Sequence, residues 1–510
     1  MAKMNKLSIV AFCVLALVQY TSAEPRPQFA LSANVPGTSR VSVAADAADS
    51  AIADINVSVT NYLIESDLEL LPDVAEIVAD IANQYQPLAE AIIDGITALA
   101  SDTSGDVEGV FAVALGAVAD AIAFADDTLP DLKAPLVPLV GNALPEKFLD
   151  SFQHIGKALE KLETSLTALK DAANSAVAEA GSSAITATIV HRTVSRALVG
   201  DLIYALNLLK ATVPLLEYVV SSTMENIGIA DAFMLELDQK VDDTIGESSN
   251  LQLEVEAITG PLGDYITDTL GTIDSDLGEL ATTFAGLTNL GTATSAVDLG
   301  TVLDNFKDNL DLLSLADPSI TQVLDGLKQA LIDAYDVVDP LYFIYESPLV
   351  NALITNLVGN GNYAQYCFYK YKDYFFVLLD WIAYAASECI QEEAPRLEYY
   401  QGTVQLMLEI LFFDFEDIAD DLEICDQIDD ATNLQECTLK FAEIYNDLEG
   451  AFGNKINLGY QSLQHEIAAS SNRLKICISM SQSALSNDEV PVLLEDINSC
   501  ANDGPTGQDE

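Results

Sequence analysis

The chain has 510 residues, half of them apolar, with 79 acidic against 22 basic side chains and a formal net charge of −57. Such a charge repels phosphate backbones and argues against nucleic-acid binding. The apolar half is too large for a disordered acidic chain and sufficient for a substantial core.

Residues 1–23 read as a secretory signal peptide. Lys3 and Lys6 precede an apolar stretch over 7–18, and Thr21-Ser22-Ala23 offers small residues for cleavage. The apolar stretch is too short to span a bilayer and no stop-transfer pattern follows it, so no membrane span is expected. Cleavage would remove Cys13 and two lysines, taking the net charge from −57 to −59. The expected location is secreted and extracellular, where disulfides persist. Residues 24–45, with Pro25, Pro27, Pro36 and Gly37, read as a polar linker. Asn56-Val57-Ser58 is a glycosylation sequon with Asn56 as acceptor.

Residues 46–358 form a cysteine-free acidic region with helical periodicity. Pro72-Asp73 opens a face bearing Val74, Ile77, Ile81 and Tyr85, which Pro87 is expected to end or kink. The clearest seam is Phe152, Ile155, Leu159, Leu162, Leu166, Leu169, Ala173 and Ala176, in alternating steps of three and four. Gly181-Ser182-Ser183 stops it. Leu202, Leu206, Leu209 and Val213 make another face, interrupted by Pro214. A further one starts at Asp317-Pro318, runs through Ile320, Val323, Leu327, Leu331, Ala334 and Val338, and closes at Asp339-Pro340. Breaks rich in Gly, Ser or Thr fall at 101–105, 246–250 and 291–295. The expected fold is all-α: elongated acidic amphipathic helices in a bundle or antiparallel stack, then a disulfide-braced helical hairpin.

Gly359-Asn360-Gly361-Asn362 reads as the boundary to that hairpin domain, residues 363–502, with a polar tail at 503–510. Aromatic residues crowd its start, among them Tyr366, Phe368, Tyr371, Phe375 and Trp381, and core packing is their expected role. All six cysteines outside the signal lie here: Cys367, Cys389, Cys425, Cys437, Cys477 and Cys500. Fifteen pairings are open to them. Facing residues of an antiparallel helical hairpin have a nearly constant position sum, because both arms rise about 1.5 Å per residue. That geometry prefers three nested rungs, Cys367–Cys500, Cys389–Cys477 and Cys425–Cys437, with a bend near Pro395. Long spacing without close Cys/His pairs argues against zinc.

No catalytic or metal signature emerges. The histidines, His154, His191 and His465, have no ligand spacing, and no nucleophile elbow, phosphate loop or dinucleotide fingerprint occurs. The acidic run from Asp414 to Asp430 lacks EF-hand spacing and reads as a solvated face and turn. Neither a cofactor nor an enzymatic activity is expected.

Tyr366-Cys367-Phe368-Tyr369, Cys389-Ile390 with Ala394 and Arg396, central Cys425 and Cys437, Asn457-Leu458-Gly459-Tyr460-Gln461-Ser462-Leu463, Cys477 and Cys500 together resemble the TsetseEP domain of secreted insect proteins. The resemblance covers roughly residues 363–502. Glu24-Pro25 stands alone, without the Glu-Pro repeats that named the family. The resemblance implies a secreted helical protein of insect gut or immune secretions, with the six cysteines as structural positions and no catalytic residue. The leading expectation is therefore a non-enzymatic extracellular binding or interaction protein whose partner is an extracellular protein or an apolar ligand. The alternatives are a carrier of apolar small molecules or lipid on amphipathic helices, and a structural or solubilising component of a secretion.

Overall fold

The computed structural model describes residues 28–59, 63–315, 320–336 and 347–505. The signal-peptide reading, Asp317-Pro318, Asp339-Pro340 and the last five residues of the tail lie outside them. Among the described residues the regular elements are helices, apart from one isolated bridge between Gln28 and Leu31. The fold is all-α, as periodicity predicts.

The chain divides into two compact units that do not follow the expected boundary at 358–363. The first contains Met1–Glu236, Pro348–Lys372 and Glu495–Glu510; the second contains Leu237–Ser347 and Asp373–Leu494. Both divisions of the long helices fall inside continuous helix, where no composition break marks them.

In the first unit, α1 is Thr38–Val57, α2 Leu70–Ser101 and α3 Val107–Ala123. Two short helices follow, α4 Leu129–Lys133 and α5 Leu136–Val140, then α6 Ala143–Ala180 and α7 Ala187–Thr193. α2 packs against both α1 and α3, and α3 against α6. Every residue of the α6 seam is buried, and the helix ends at Gly181, whose φ of 58° is open to glycine at little cost. Each fully buried Leu or Ile of that seam contributes about 1.5–3 kcal/mol relative to exposure. Tyr85 of α2 sits at the centre, its ring 4.9 Å from Phe152 edge-on and 5.7 Å from Phe124. Burial pushes its hydroxyl well above the ordinary tyrosine range.

Residues 24–45 are not a plain polar linker. Phe29, Ala30 and Leu31 are fully buried, the Phe29 amide donates to the Leu99 carbonyl at 3.1 Å, and α1 begins at Thr38.

The prolines behave differently from expectation. α2 continues through Pro87, and α8, Arg196–Gly286, continues through Pro214 and through the 246–250 segment. An interior proline costs about 3 kcal/mol in an exposed helix. Here Tyr85, Ala89 and Ile92 flank Pro87, and Val213 and Leu216 flank Pro214, all fully buried. Their burial offsets the missing hydrogen bond. The loop before α2 is tied down by Asp231 of α8, whose carboxylate accepts from the backbone N–H of Ser66 at 2.8 Å and of Glu65 at 3.2 Å.

In the second unit, the later part of α8 joins α9 Ala296–Leu315 and α10 Ile320–Asp336. The hairpin consists of α12, Ala364–Asp426, and α13, Ala431–Ala484; α11, Pro348–Val358, belongs to the first unit. A π-helical turn over Leu485–Glu489 leads to α14, Val490–Asp503. α9 and α10 both pack on α13. Inward positions of α13 keep to one face of the helix, through Leu434, Ala442, Tyr445, Phe452, Ile456, Leu463, Ile467, Leu474 and Ile478. Pro395 lies inside α12 without ending it.

Two disulfides staple this hairpin, Cys389–Cys477 and Cys425–Cys437, each with Cα atoms 5.9 Å apart. Cys367–Cys500 has the same spacing and belongs to the first unit. These are the pairs that the position sums prefer. Hydrogen bonds across the hairpin keep the same register: Tyr400 to Ser462 at 2.9 Å, and Ser470 to Glu393 at 2.6 Å.

The acidic run near the turn is more than a solvated face. Asp430 caps α13 by accepting from the amides of Thr432 and Asn433. Asp426 accepts from the amides of Asn289 and Leu290, and Asp421 accepts from the Tyr445 hydroxyl. The aromatic segment likewise has two faces. Phe368, Tyr371 and Phe375 are buried as expected, while Tyr366, Tyr369, Tyr374, Trp381 and Tyr384 are exposed.

Candidate functional site

The strongest candidate site lies in the first unit, at the Gly359-Asn360-Gly361-Asn362 turn. Leu357 and Val358 bury the end of α11, and the chain must then reverse beside α5. A Cβ on Gly359 would fall 2.7 Å from the Val140 carbonyl oxygen, so only glycine lets the two backbones approach this closely. Asn360 follows at φ 51°, a left-handed conformation that asparagine tolerates better than most residues.

Asn360 is buried and its amide is fully engaged. Its Nδ2 donates to Ser222 Oγ at 2.8 Å and to Thr223 Oγ1 at 3.0 Å. Its Oδ1 accepts from Asn226 Nδ2 at 3.4 Å and from Lys147 Nζ at 3.3 Å. Asn226 also donates to the Leu357 carbonyl at 2.9 Å and accepts from Gln365 Nε2 at 2.8 Å. The hub thus ties α6, α8, α11 and α12 together through neutral amides and hydroxyls plus one ammonium.

Beside this hub lies a cleft of about 540 Å³, within the range of small-molecule sites. Glu146, Lys147 and Asp150 of α6, Tyr218 of α8, Tyr363 after the turn and Asn502 of α14 line it. Tyr363 is held by Gly504, where a Cβ would sit 2.6 Å from the ring. Burial pushes the Lys147 ammonium below the usual lysine range. Lys147 makes no ion pair among the described residues, so two of its three N–H donors remain for a ligand after the bond to Asn360. Asp150 lies 3.8 Å from His154 on the outer face of α6. The Ser151 hydroxyl at the cleft wall donates to the Lys147 carbonyl at 2.9 Å, which turns its proton away from any base. The lining offers hydrogen bonds of both signs and two phenol rings.

Asn226, Lys147 and Tyr218 belong to no motif in the sequence, and Asn360 stands there only as part of a chain break. A signal existed: Ser222, Thr223 and Asn226 interrupt an otherwise apolar face of α8, and buried polar residues need partners. Asn56 is exposed in the last turn of α1, and the Ser58 hydroxyl of its sequon donates to Glu217 at 3.0 Å. His191 and His465 are exposed and distant in sequence from the cleft residues. Among the described residues no group of three His, Cys, Asp or Glu is arranged to hold a metal ion.

The second unit has a polar centre of another kind. Glu393 is only 4 % exposed, and its carboxylate accepts from Arg473 Nε at 3.0 Å, Ser470 Oγ at 2.6 Å and Arg396 at 3.2 Å. Burial alone would push this carboxyl up, but the Arg473 and Ser470 hydrogen bonds and the two guanidinium charges together hold it below the usual carboxylate range. Arg473 also reaches Glu466 at 2.8 Å. The centre sits one helical turn from Cys389–Cys477 and serves the hairpin's register.

Two helical stretches, Val107–Lys133 and Arg196–Asp243, have the length and hydropathy of a membrane span. Part of their apolar surface packs into the core of the first unit, where Phe111, Val118, Leu202 and Leu209 are fully buried, while Val113 and Tyr204 are exposed. No protein-family model matches the chain, and neither a curated protein nor a solved structure shows significant similarity to it.

Proposed function

We propose that this chain is a secreted, non-enzymatic binding protein that holds a small polar ligand in the Lys147–Tyr218–Tyr363 cleft. The observation that carries this reading is the half-buried, ion-pair-free Lys147 facing a mixed cleft whose walls are fixed by the Asn360 hub. The even set of six cysteines and the signal-like start support an extracellular setting. The resemblance to the TsetseEP domain adds an insect gut or immune context to the proposal. The apolar-carrier alternative draws less support, because the α6 seam is buried in the unit's own core.

Native mass spectrometry of the protein purified from its natural secretion tests the reading. A small-molecule adduct is expected, and recombinant Tyr218→Ala or Lys147→Met should lose at least tenfold in affinity for it with unchanged circular dichroism. Protein that is ligand-free in repeated preparations, or an adduct unaffected by both substitutions, overturns the proposal.

A further inference from the structure

α12 has a second apolar face, independent of the cleft. Its inward positions beyond Pro395 include Leu397, Val404, Leu422 and Cys425, all buried in the core of the second unit. Roughly opposite them, positions 399, 403, 406, 410, 413, 417, 420 and 424 alternate in steps of four and three. That is the a/d spacing of a coiled-coil seam. Five of the eight carry large apolar side chains, and all five are exposed: Tyr399 82 %, Leu406 61 %, Ile410 51 %, Phe413 59 % and Ile424 58 %. Scattered exposed hydrophobes need no explanation, but a heptad-spaced row along one helix does.

The charges around the row select its occupant. From Leu397 to Asp426 there is no Lys or Arg, while nine carboxylates are present, and Asp417 and Asp420 stand at two of the seam's own positions. We propose that this seam docks a cationic amphipathic helix, a peptide or protein segment with apolar residues at a/d spacing and Lys or Arg beside them. A helix of this kind satisfies both features at once, as helix-in-groove recognition does elsewhere. A second copy of the chain would bring two strongly acidic faces together, and an anionic membrane is repelled for the same reason. The seam spans about 26 residues, or about 39 Å, which matches a partner helix of seven turns.

The probe is a fluorescein-labelled 24-residue peptide with Leu at a and d and Lys or Gln elsewhere, titrated into the full-length, disulfide-intact protein. Anisotropy is expected to show saturable binding in low salt that weakens at least tenfold in 0.5 M NaCl, because exposed charges are screened beyond about 4 Å there. The doubly substituted Leu406→Lys/Ile410→Lys protein should bind at least tenfold more weakly, with unchanged circular dichroism and intact disulfides. A control peptide of identical composition but scrambled apolar spacing should also bind at least tenfold more weakly. Equal binding of the scrambled peptide reduces the effect to charge attraction and overturns the proposal. So does unchanged affinity of the doubly substituted protein. Light scattering that finds a dimer abolished by the same substitutions assigns the seam to self-association instead. Tighter association with phosphatidylcholine vesicles than with the peptide assigns it to lipid.

Discussion

The two units fix their polar interiors by opposite means. The first gathers amides and hydroxyls around Asn360, with Lys147 as the lone charge; the second gathers Arg396, Ser470 and Arg473 around the Glu393 carboxylate. Amides and hydroxyls do not titrate, so the first hub is linked to pH only through the Lys147 ammonium, on the alkaline side. The ionic centre is linked to it through its carboxylate. Their surroundings differ too: the amide hub borders the cleft lined by Glu146, Lys147 and Asp150, whereas the ionic centre ties two long helix arms in register.

The largest effect should come from removing Cys389–Cys477 by a paired Cys→Ser substitution. An isolated loop of 88 residues is worth about 4–5 kcal/mol of chain entropy, but the rungs are nested and shorten one another's loops. We expect a loss of about 3–4 kcal/mol, read as a lower urea midpoint for the second unit while the first is little changed. Equal loss in both units would erase the distinction between them.

Next comes Glu393→Gln, which leaves Arg473 with Glu466 as its remaining carboxylate and Ser470 as a neutral partner. The expected cost is about 2–4 kcal/mol at neutral pH. The folded carboxyl titrates below its unfolded value, so its stabilisation is fully present above the ordinary glutamate range and is lost as pH falls through the folded value. Urea midpoints at pH 7 and pH 3.5 should therefore differ less in Glu393→Gln than in the parent. An unchanged pH slope would show that Glu393 is not the linked group.

The smallest change is Asn360→Ala, at about 2 kcal/mol, since it leaves the Ser222 and Thr223 hydroxyls without the Nδ2 donor they accept from and forces alanine to φ 51°. Its cost should be the same at pH 7 and pH 4.5, because Ser222, Thr223 and Asn226 do not titrate and Lys147 stays charged. A cost that grows with acidity would make the first unit's hub ionic too.

Helical class and the α6 seam were legible because periodic burial is written residue by residue: Phe152 to Ala176 needs no distant partner to be recognised. The rungs were legible for the related reason that a hairpin's geometry is arithmetic. Pro87 and Pro214 misled, because their local cost is offset by packing that only the folded chain supplies. The turn at 359–362 misled more: glycine and asparagine signal a break in local structure equally well at a boundary and at a hub. What distinguishes them is Asn226, about 130 residues earlier in the chain, and no local pattern connects the two. The cleft inherits that non-locality, since its lining comes from α6, α8, the turn and α14.

Cys425–Cys437 encloses the exposed loop that joins the two arms of the hairpin, residues 427–430. That loop is the natural place for a protease to cut. A single cut there opens a peptide bond inside a covalent ring, so neither arm is released and the ends stay beside each other. Nicked and intact chains would then migrate alike until reduced, and a single cut would leave the molecule in one piece.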